Sequence, residues 1–174
     1  MKKAVIIIAA GVEDTEFAYP YYRLQEAGFA VDVATKGGKD TVGKWGLPIP
    51  ANVDAETIKE PDYEILVIPG GYESPDRVRQ ITNVLNLLKA FDQKGKVIAS
   101  VCHGPWVLVS AGIVRGRKMT CYPGCKDDLI NAGALYEAVN VITDRNIVTA
   151  PHFRNNPEWL AATLAAHDKV SQQN

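Results

Sequence analysis

The feature that most constrains the fold is a short apolar run that ends abruptly at a cysteine. Residues 97–101 (Val-Ile-Ala-Ser-Val) lack the polar alternation of a half-exposed strand, which is typical of a parallel strand covered on both faces. The segment that follows, residues 106–111, is apolar over a helical length and ends at Gly112, where a left-handed C-cap is expected. The sequence therefore predicts that Cys102 lies on a tight turn between a buried strand and a helix.

This position suggests that Cys102 is a reactive thiol. The thiolate is the reactive form of cysteine, and a helix N-terminus offers unpaired N–H groups and a positive dipole end. We therefore expect the pKa of Cys102 to lie below the value of about 8.5 for a free cysteine. The same N–H groups could hold an oxyanion, and the adjacent His103 is a candidate base. The alternative is that Cys102 is a small buried core residue, as cysteine often is.

Composition argues against several kinds of partner. The 174 residues carry 19 basic and 20 acidic side chains, for a net charge of −1, so neither nucleic acid nor an acidic membrane is indicated. Three cysteines cannot all pair in disulfides, which favours a reducing cytoplasm. The run at residues 4–10 is short and is followed by acidic residues, so we expect a first strand and not a signal peptide. No apolar stretch approaches the roughly 18 residues of a membrane helix.

Apolar runs and turn residues alternate along the chain. Strands are expected at residues 4–10, 29–35, 65–68, 97–101, 119–122, 136–142 and 147–150. Helices are expected at 16–28, from 74, at 83–93, at 106–112, from 123 to about 133 and from 156 onward, with a hairpin within 36–50. This alternation predicts a three-layer α/β sandwich with a mostly parallel sheet. The length favours a single domain, residues 1–174.

Two loop features add to the candidate site. Gly70 and Gly71 follow the apolar run at residues 65–68, and glycines there can bring backbone N–H groups close to a ligand at the carboxyl end of a parallel strand. Ser74 is expected to be the N-cap of a helix with Pro75 at its first position. The chain contains no G-x-G-x-x-G or Walker pattern, so a nucleotide cofactor is not expected.

Four segments in this order closely resemble the PfpI family of the ThiJ/PfpI superfamily. They are Ile68-Pro-Gly-Gly71, Ser100-Val-Cys-His-Gly-Pro105, Ala111-Gly-Ile-Val-Arg-Gly-Arg-Lys118, and Tyr122-Pro-Gly-Cys-Lys-Asp-Asp128 with Asn131-Ala-Gly133. The similarity extends from about residue 3 to about residue 149. It implies a flavodoxin-like fold, similar to class I glutamine amidotransferases, and a homo-oligomer, either a dimer or a hexamer.

The resemblance also implies roles for particular residues. Cys102 matches the nucleophile of a strained elbow, and His103 matches the histidine beside it. Glu16 matches a buried glutamate whose carboxyl group hydrogen-bonds the cysteine sulfur, which agrees with the tendency of a carboxyl group near a thiolate to stay protonated. Without the resemblance, Glu16 reads equally well as an ordinary acidic residue in a first helical turn.

Further matches concern the surroundings of the cysteine. Asp76 matches an acidic position, more often glutamate, that orients the histidine of a neighbouring subunit; its alternative is a favourable charge at a helix N-terminus. Gly70 and Gly71 match the backbone oxyanion donors, with the His103 amide as a further candidate. Tyr122 matches a pocket tyrosine, although by itself it would be assigned to packing.

Two segments depart from the family pattern. Cys121 and Cys125 stand where serine and an aliphatic residue are more usual, and they are expected either to form a labile redox pair or to pack as small residues. No pattern of neighbouring ligands completes a metal site, so no metal is expected. Residues 151–158 differ from the Ser-Arg-x-Pro-like segment of the family. His152 and Arg154 in this segment are expected either to alter substrate choice or to be surface loop residues.

Three functions compete at this point. The first is a cysteine-dependent, cofactor-independent enzyme that attacks reactive carbonyls such as methylglyoxal, with the glyoxalase III-like or protein deglycase activity that the resemblance implies, in stress protection. The second is an intracellular peptidase that is active as an oligomer and uses Cys102, His103 and Asp76. The third is a non-enzymatic redox sensor or chaperone, because an accessible cysteine of low pKa beside a carboxyl group is readily oxidised.

Overall fold

The apolar runs form strands in the computed structural model, which describes residues 2–173. In chain order the strands are β1 (Lys3–Ile7), β2 (Ala30–Thr35), β3 (Thr41–Val42), β4 (Pro48–Ile49), β5 (Val53–Asp54), β6 (Ile65–Ile68), β7 (Val97–Val101), β8 (Lys118–Met119), β9 (Leu135–Tyr136), β10 (Ile142–Asp144) and β11 (Ile147–Ala150). The helices are α1 (Asp14–Glu26), α2 (Ser74–Val78), α3 (Thr82–Gln93), α4 (Pro105–Ala111), α5 (Lys126–Asn131) and α6 (Asn156–Gln173).

Seven of the described strands form one sheet in the order β10-β11-β7-β6-β1-β2-β5. All neighbours in it are parallel except β10 and β11, which form an antiparallel pair. The five strands β2-β1-β6-β7-β11 follow the 2-1-3-4-5 order of the flavodoxin-like fold. The predicted α/β fold with a mostly parallel sheet is confirmed. In such sheets a ligand binds at the carboxyl ends of the strands, where the chain order reverses.

Helices cover both faces of the sheet and bury one core on each. Helices α1 and α6 pack on one face, where Trp159 and Leu24 are fully buried. Helices α3, α4 and α5 pack on the other face around Phe91 and Leu88. Because each strand buries side chains on both faces, its residues are apolar without alternation. This arrangement is the predicted three-layer sandwich.

The turn from β7 into α4 has the predicted form. Helix α4 ends at Gly112, which adopts the left-handed conformation with φ of 73°. The predicted hairpin within residues 36–50 is formed by β3 and β4, which pair antiparallel. In residues 2–173 we find no helix with both the length and the apolar character needed to span a bilayer.

Two predicted strands are wrong in extent. The strand expected at residues 119–122 is limited to β8, because the Thr120 amide donates to the Thr149 hydroxyl and the Tyr122 amide to the Cys102 carbonyl instead of to a strand. The strand expected at residues 136–142 is divided between two sheets. Its first residue, Tyr136, belongs to β9, which pairs with β8, whereas Ile142 opens β10 in the main sheet.

The predicted N-cap at Ser74 is also wrong. Ser74 is the first residue of α2 and Glu73 precedes it. The Ser74 hydroxyl is fully buried and accepts the N–H of Ala9 at 2.9 Å. The side chain therefore ties α2 to the end of β1, and this long-range bond cannot be read from the local sequence.

Candidate active site

Cys102 lies at the carboxyl end of β7 on a strained turn. Its φ is 59°, a left-handed value that non-glycine residues rarely adopt. The Cys102 amide donates to the Ala150 carbonyl at 3.0 Å, and the Cys102 carbonyl accepts the Tyr122 amide at 3.0 Å. Behind the turn, a Cβ on Gly104 would lie 2.3 Å from the Ile68 carbonyl oxygen. The turn is thus held against β6 and β11, and it presents the thiol at the edge of the sheet.

The amides around the thiol differ from the predicted set. The Gly70 N–H donates to Oε2 of Glu16 at 2.7 Å, so it is occupied by the carboxyl group. The N–H groups of Gly71 and His103 instead face the Cys102 sulfur and lower the pKa of the thiol. The prediction that both glycines are oxyanion donors is therefore wrong for Gly70. The pair of donors that faces the thiol consists of Gly71 and His103, an arrangement able to hold negative charge near the sulfur.

Glu16 is fully buried in the first turn of α1, beside the Cys102 thiol. Burial raises the pKa of Glu16 to about 7, against the opposing hydrogen bonds from the Gly70 amide and from Cys102. Its Oε1 atom has no hydrogen-bond partner of ordinary geometry among the described residues. Near neutral pH this carboxyl group is therefore partly protonated and is able to donate its proton to a neighbour.

The pKa of Cys102 moves opposite to the expectation drawn from the helix terminus. Burial raises the pKa of the thiol, and the Glu16 carboxylate raises it further, whereas the Gly71 and His103 amides lower it. Helix α4 begins only at Pro105 and has seven residues, so its terminus does not outweigh the loss of water around the sulfur. Cys102 and Glu16 consequently titrate as a pair that holds one negative charge before it holds two.

The raised pKa of Glu16 predicts a pH-dependent stability. The folded-state pKa, about 7, exceeds the ordinary value of 4.5, so Glu16 stabilises the fold fully below its unfolded pKa and loses this contribution as the pH rises through about 7. Glu16→Gln removes the dependence. Between about pH 4 and pH 9, the free energy of unfolding of the variant should rise by about 3 kcal/mol relative to wild type.

Urea denaturation of both proteins at the two pH values measures this difference. Glu158→Gln, which removes an exposed carboxylate on α6, controls for the loss of one negative charge. If the free energies of unfolding of wild type and Glu16→Gln differ by the same amount at both pH values, the assignment of a raised pKa to Glu16 is wrong.

His103 contacts the thiol directly. Its Nδ1 lies 3.1 Å from the Cys102 sulfur. The ring stacks on Tyr122 with a centroid separation of 4.8 Å and an interplanar angle of 24°, and it meets the edge of Trp106 at 5.1 Å. The positive φ of Cys102 is what brings two adjacent side chains within reach of each other. Tyr122 also lines the cavity at Cys102, and its ring packs against the imidazole.

Asp76 is not brought to this site within one chain. It is half-buried on α2 and is absent from the described residues that line the cavity at Cys102. The anchoring of α2 through Ser74 to Ala9 fixes the helix beside β1. Approach of Asp76 to the histidine of a neighbouring subunit remains a prediction.

A cavity of about 180 Å³ opens over the cysteine. Glu13, Lys44, Tyr72 and Phe153 line it together with the predicted site residues. Lys44 pairs with the buried carboxylate of Glu13 at 3.5 Å. It is carried by the loop between β3 and β4, whose Trp45 and Leu47 amides donate to the Asp14 carboxylate. These residues were not identified from the sequence. The sequence predicted a hairpin in residues 36–50, but the position of that hairpin relative to the edge of the sheet was not predictable.

His152 and Arg154, the two candidates in residues 151–158, line different cavities. His152 lines the cavity with Cys102, as expected of a residue that affects substrate choice. Arg154 does not, because the short 3-10 turn Phe153–Asn155 directs it into a neighbouring groove beside Tyr22 of α1. Of the two alternatives for Arg154, this position agrees with an exposed loop residue.

The other two cysteines lie under the site. Cys121 and Cys125 are free thiols without exposed surface. A hydrogen bond with Cys121, followed by burial, raises the pKa of Cys125, and contact with His103 lowers it. Among the described residues, no group of three or more His, Cys, Asp or Glu side chains is placed to hold a metal ion. Both thiols therefore pack as small residues in this state of the protein.

Comparison with known proteins places this geometry in context. The sequence model of the DJ-1/PfpI family matches residues 2–166. A protein of Pyrococcus horikoshii named as a deglycase is 38% identical over 148 residues, which is 85% of this chain and 89% of the relative. A Bacillus subtilis protein named as a candidate cysteine protease is 34% identical over 150 residues, 86% of this chain and 88% of the relative.

A solved structure shares the fold. In a two-domain protein of Anabaena variabilis with DJ-1/ThiJ/PfpI-like and ferritin-like domains, the match has a TM-score of 0.91 and 33% identity. It covers 95% of this chain and 48% of the two-domain chain. The relatives thus carry names for two different chemistries on one fold.

Proposed function

Because the chain belongs to the DJ-1/PfpI family, we propose that it is a cysteine-dependent enzyme that converts reactive dicarbonyls such as methylglyoxal to hydroxy acids without a cofactor. The observation that carries this proposal is the joint placement of Cys102, the partly protonated Glu16 and two amide donors at one cavity. The deglycase name of the Pyrococcus horikoshii relative supports it. The role would be protection of the cytoplasm against reactive carbonyls under stress.

The first step is attack of Cys102 on the aldehyde carbon of methylglyoxal, with the thiol proton passing to the Glu16 carboxylate as the sulfur attacks. The S–C bond forms as the C=O π electrons move to oxygen, and the N–H groups of Gly71 and His103 hold the resulting oxyanion. The Glu16 carboxyl group then gives its proton to this oxygen. A carboxyl group with a pKa of about 7 suits this step, since donors and acceptors work best when their pKa is near the working pH.

The second step moves hydrogen between the two carbons. The Glu16 carboxylate takes the proton from C1, and the electron pair passes to the C2 oxygen to give an enediolate. The hydroxyl proton at C1 passes to the C2 oxygen, and Glu16 returns its proton to C2, which leaves a lactoyl thioester on Cys102. Water then attacks the thioester carbon and the thiolate leaves. The net change is methylglyoxal plus water to lactate and a proton.

The direct test is capture of the intermediate on one of the three cysteines. Purified wild-type protein is mixed with methylglyoxal, quenched in acid and digested, and each cysteine-containing peptide is analysed by mass spectrometry while lactate is assayed in parallel. We expect an adduct on Cys102 together with lactate formation. The fully buried Cys121 and Cys125 act as internal controls. Lactate formation without any adduct on Cys102, or no lactate at all, would contradict the proposal.

A peptidase is the second candidate, and the contact of 3.1 Å between the Cys102 sulfur and His103 Nδ1 favours it. A thiol–imidazole pair is the usual arrangement for attack on a peptide carbonyl. Asp76 would have to reach His103 from another subunit. Hydrolysis of a fluorogenic peptide, compared between the oligomer and dilute monomer, separates the two candidates. Peptide cleavage confined to the oligomer, without lactate formation, would favour the peptidase.

A further inference from the structure

We propose that His152 donates a hydrogen bond to the second carbonyl oxygen of the substrate and so selects 1,2-dicarbonyls over simple aldehydes. This inference rests on the proposed function of the same site and assigns a residue that the reaction above leaves unused. Its basis is the position, the tautomer and the charge of the His152 ring.

The position follows from the register of two neighbouring strands. Ala150 at the end of β11 pairs with Val101 at the end of β7. His152 comes two residues after Ala150, and Cys102 comes one residue after Val101. Both residues therefore lie at the same edge of the sheet. Both side chains line the cavity of about 180 Å³. In so small a space, a three-carbon substrate bound to Cys102 is within reach of the imidazole.

The tautomer follows from the hydrogen bonds of the ring. Nδ1 of His152 accepts the backbone N–H of Arg154 at 3.3 Å. An acceptor nitrogen in a neutral imidazole carries no proton, so this bond assigns the proton to Nε2. The ring is packed against Phe153 at a centroid separation of 4.0 Å and against Tyr122 at 6.2 Å. The remaining Nε2–H is a donor whose orientation is fixed by its neighbours.

The charge of the ring suits a donor that keeps its proton. Burial lowers the pKa of His152, and the positive charge of Arg154 lowers it further; Glu13 acts in the opposite direction, and Lys44 adds a smaller lowering effect. The lowered pKa favours the neutral form of the His152 imidazole. A neutral imidazole polarises a carbonyl group and stabilises negative charge on its oxygen without transferring its proton.

The two oxygens of a dicarbonyl then have separate donors. The amides of Gly71 and His103 point at the Cys102 sulfur and so serve the oxygen of the attacked carbon. His152 comes from a different loop, after β11, and is available to the oxygen on the adjacent carbon, where the enediolate charge develops. A simple aldehyde has no oxygen there and gains nothing from His152.

Two variants distinguish donation from packing. His152→Phe keeps an aromatic ring but has no donor, whereas His152→Gln keeps an N–H group near the position of Nε2. For lactate formation from methylglyoxal, we expect His152→Phe to lower kcat by about 100-fold with a change in KM of less than about 3-fold. We expect His152→Gln to recover kcat to within about 5-fold of wild type.

A simple aldehyde gives a second readout. Propanal should protect Cys102 from iodoacetamide equally in wild type and in His152→Phe, because its adduct has no second carbonyl oxygen. If wild type forms lactate and His152→Phe has the same kcat, the inference is overturned and the proposed function is left intact. Equal losses in both variants, or loss of propanal protection in His152→Phe, would also overturn it by indicating a packing role. Absence of lactate formation by wild type would overturn both.

Discussion

Replacement of Cys102 by serine is expected to reduce lactate formation from methylglyoxal by at least about 10³-fold. Serine has nearly the same shape, so the turn at φ of 59° and the contacts of the Gly71 and His103 amides should persist. The hydroxyl group, however, ionises at far higher pH than a thiol, and burial disfavours its anion further. The loss should therefore appear in kcat, because the variant cannot form the covalent adduct.

The matched control for this variant is Cys121→Ala, which removes a fully buried thiol that does not line the cavity at Cys102. We expect Cys121→Ala to keep most of the activity and Cys102→Ser to keep the thermal unfolding midpoint of wild type. Steady-state lactate assays and thermal denaturation followed by circular dichroism measure both quantities. Activity in Cys102→Ser within about 10-fold of wild type would remove Cys102 from the reaction.

The second large effect is expected for Gly70→Ala, in both activity and stability. A Cβ at Gly70 would lie 2.7 Å from Cys102 Cβ, 2.7 Å from Glu16 Oε2 and 2.9 Å from the His103 amide nitrogen. Glu16 belongs to α1, and Cys102 and His103 belong to the turn that is held against β6 and β11, so these atoms cannot move apart without disturbing the core. We expect a loss of about 3 kcal/mol in the free energy of unfolding and a fall in kcat of at least about 100-fold.

Gly124→Ala is the control for the added methyl group. Its Cβ would meet only carbon atoms of the Tyr122 ring, at 3.5 and 3.6 Å, which is ordinary contact. Urea denaturation and lactate assays of both variants compare the two positions. If Gly70→Ala behaves like Gly124→Ala, the close packing of Gly70 against Cys102 and Glu16 does not govern the site.

Local sequence was sufficient to predict the scaffold. Residues 65–68 and 97–101 are apolar without alternation because helices cover both faces of their strands, and this property is readable in a single segment. The turn at Cys102 was predictable because Gly104 and Pro105 follow it and Gly112 ends the next helix. Glu16 needed the family resemblance, since an acidic residue in a first helical turn has an ordinary explanation.

The finer chemistry of the site was not predictable, because it depends on segments distant in sequence. Whether Gly70 or Gly71 donates to the thiol depends on Glu16, 54 residues earlier, which takes the Gly70 amide. Lys44 reaches the cavity only through a loop held by Asp14. The direction of the Cys102 pKa depends on the balance of burial against amide hydrogen bonds, and burial is a property of the whole fold.

Because the three thiols are buried to different extents, their accessibility to an alkylating reagent measures the unfolding of the chain. Cys102 retains 8% of its surface, whereas Cys121 and Cys125 retain none. A short pulse of a small alkylating reagent should mark at most Cys102 in each folded molecule and all three thiols in each unfolded one. The mass distribution after such a pulse counts the two populations molecule by molecule, so folding can be followed in mixtures and at low concentration without an introduced label.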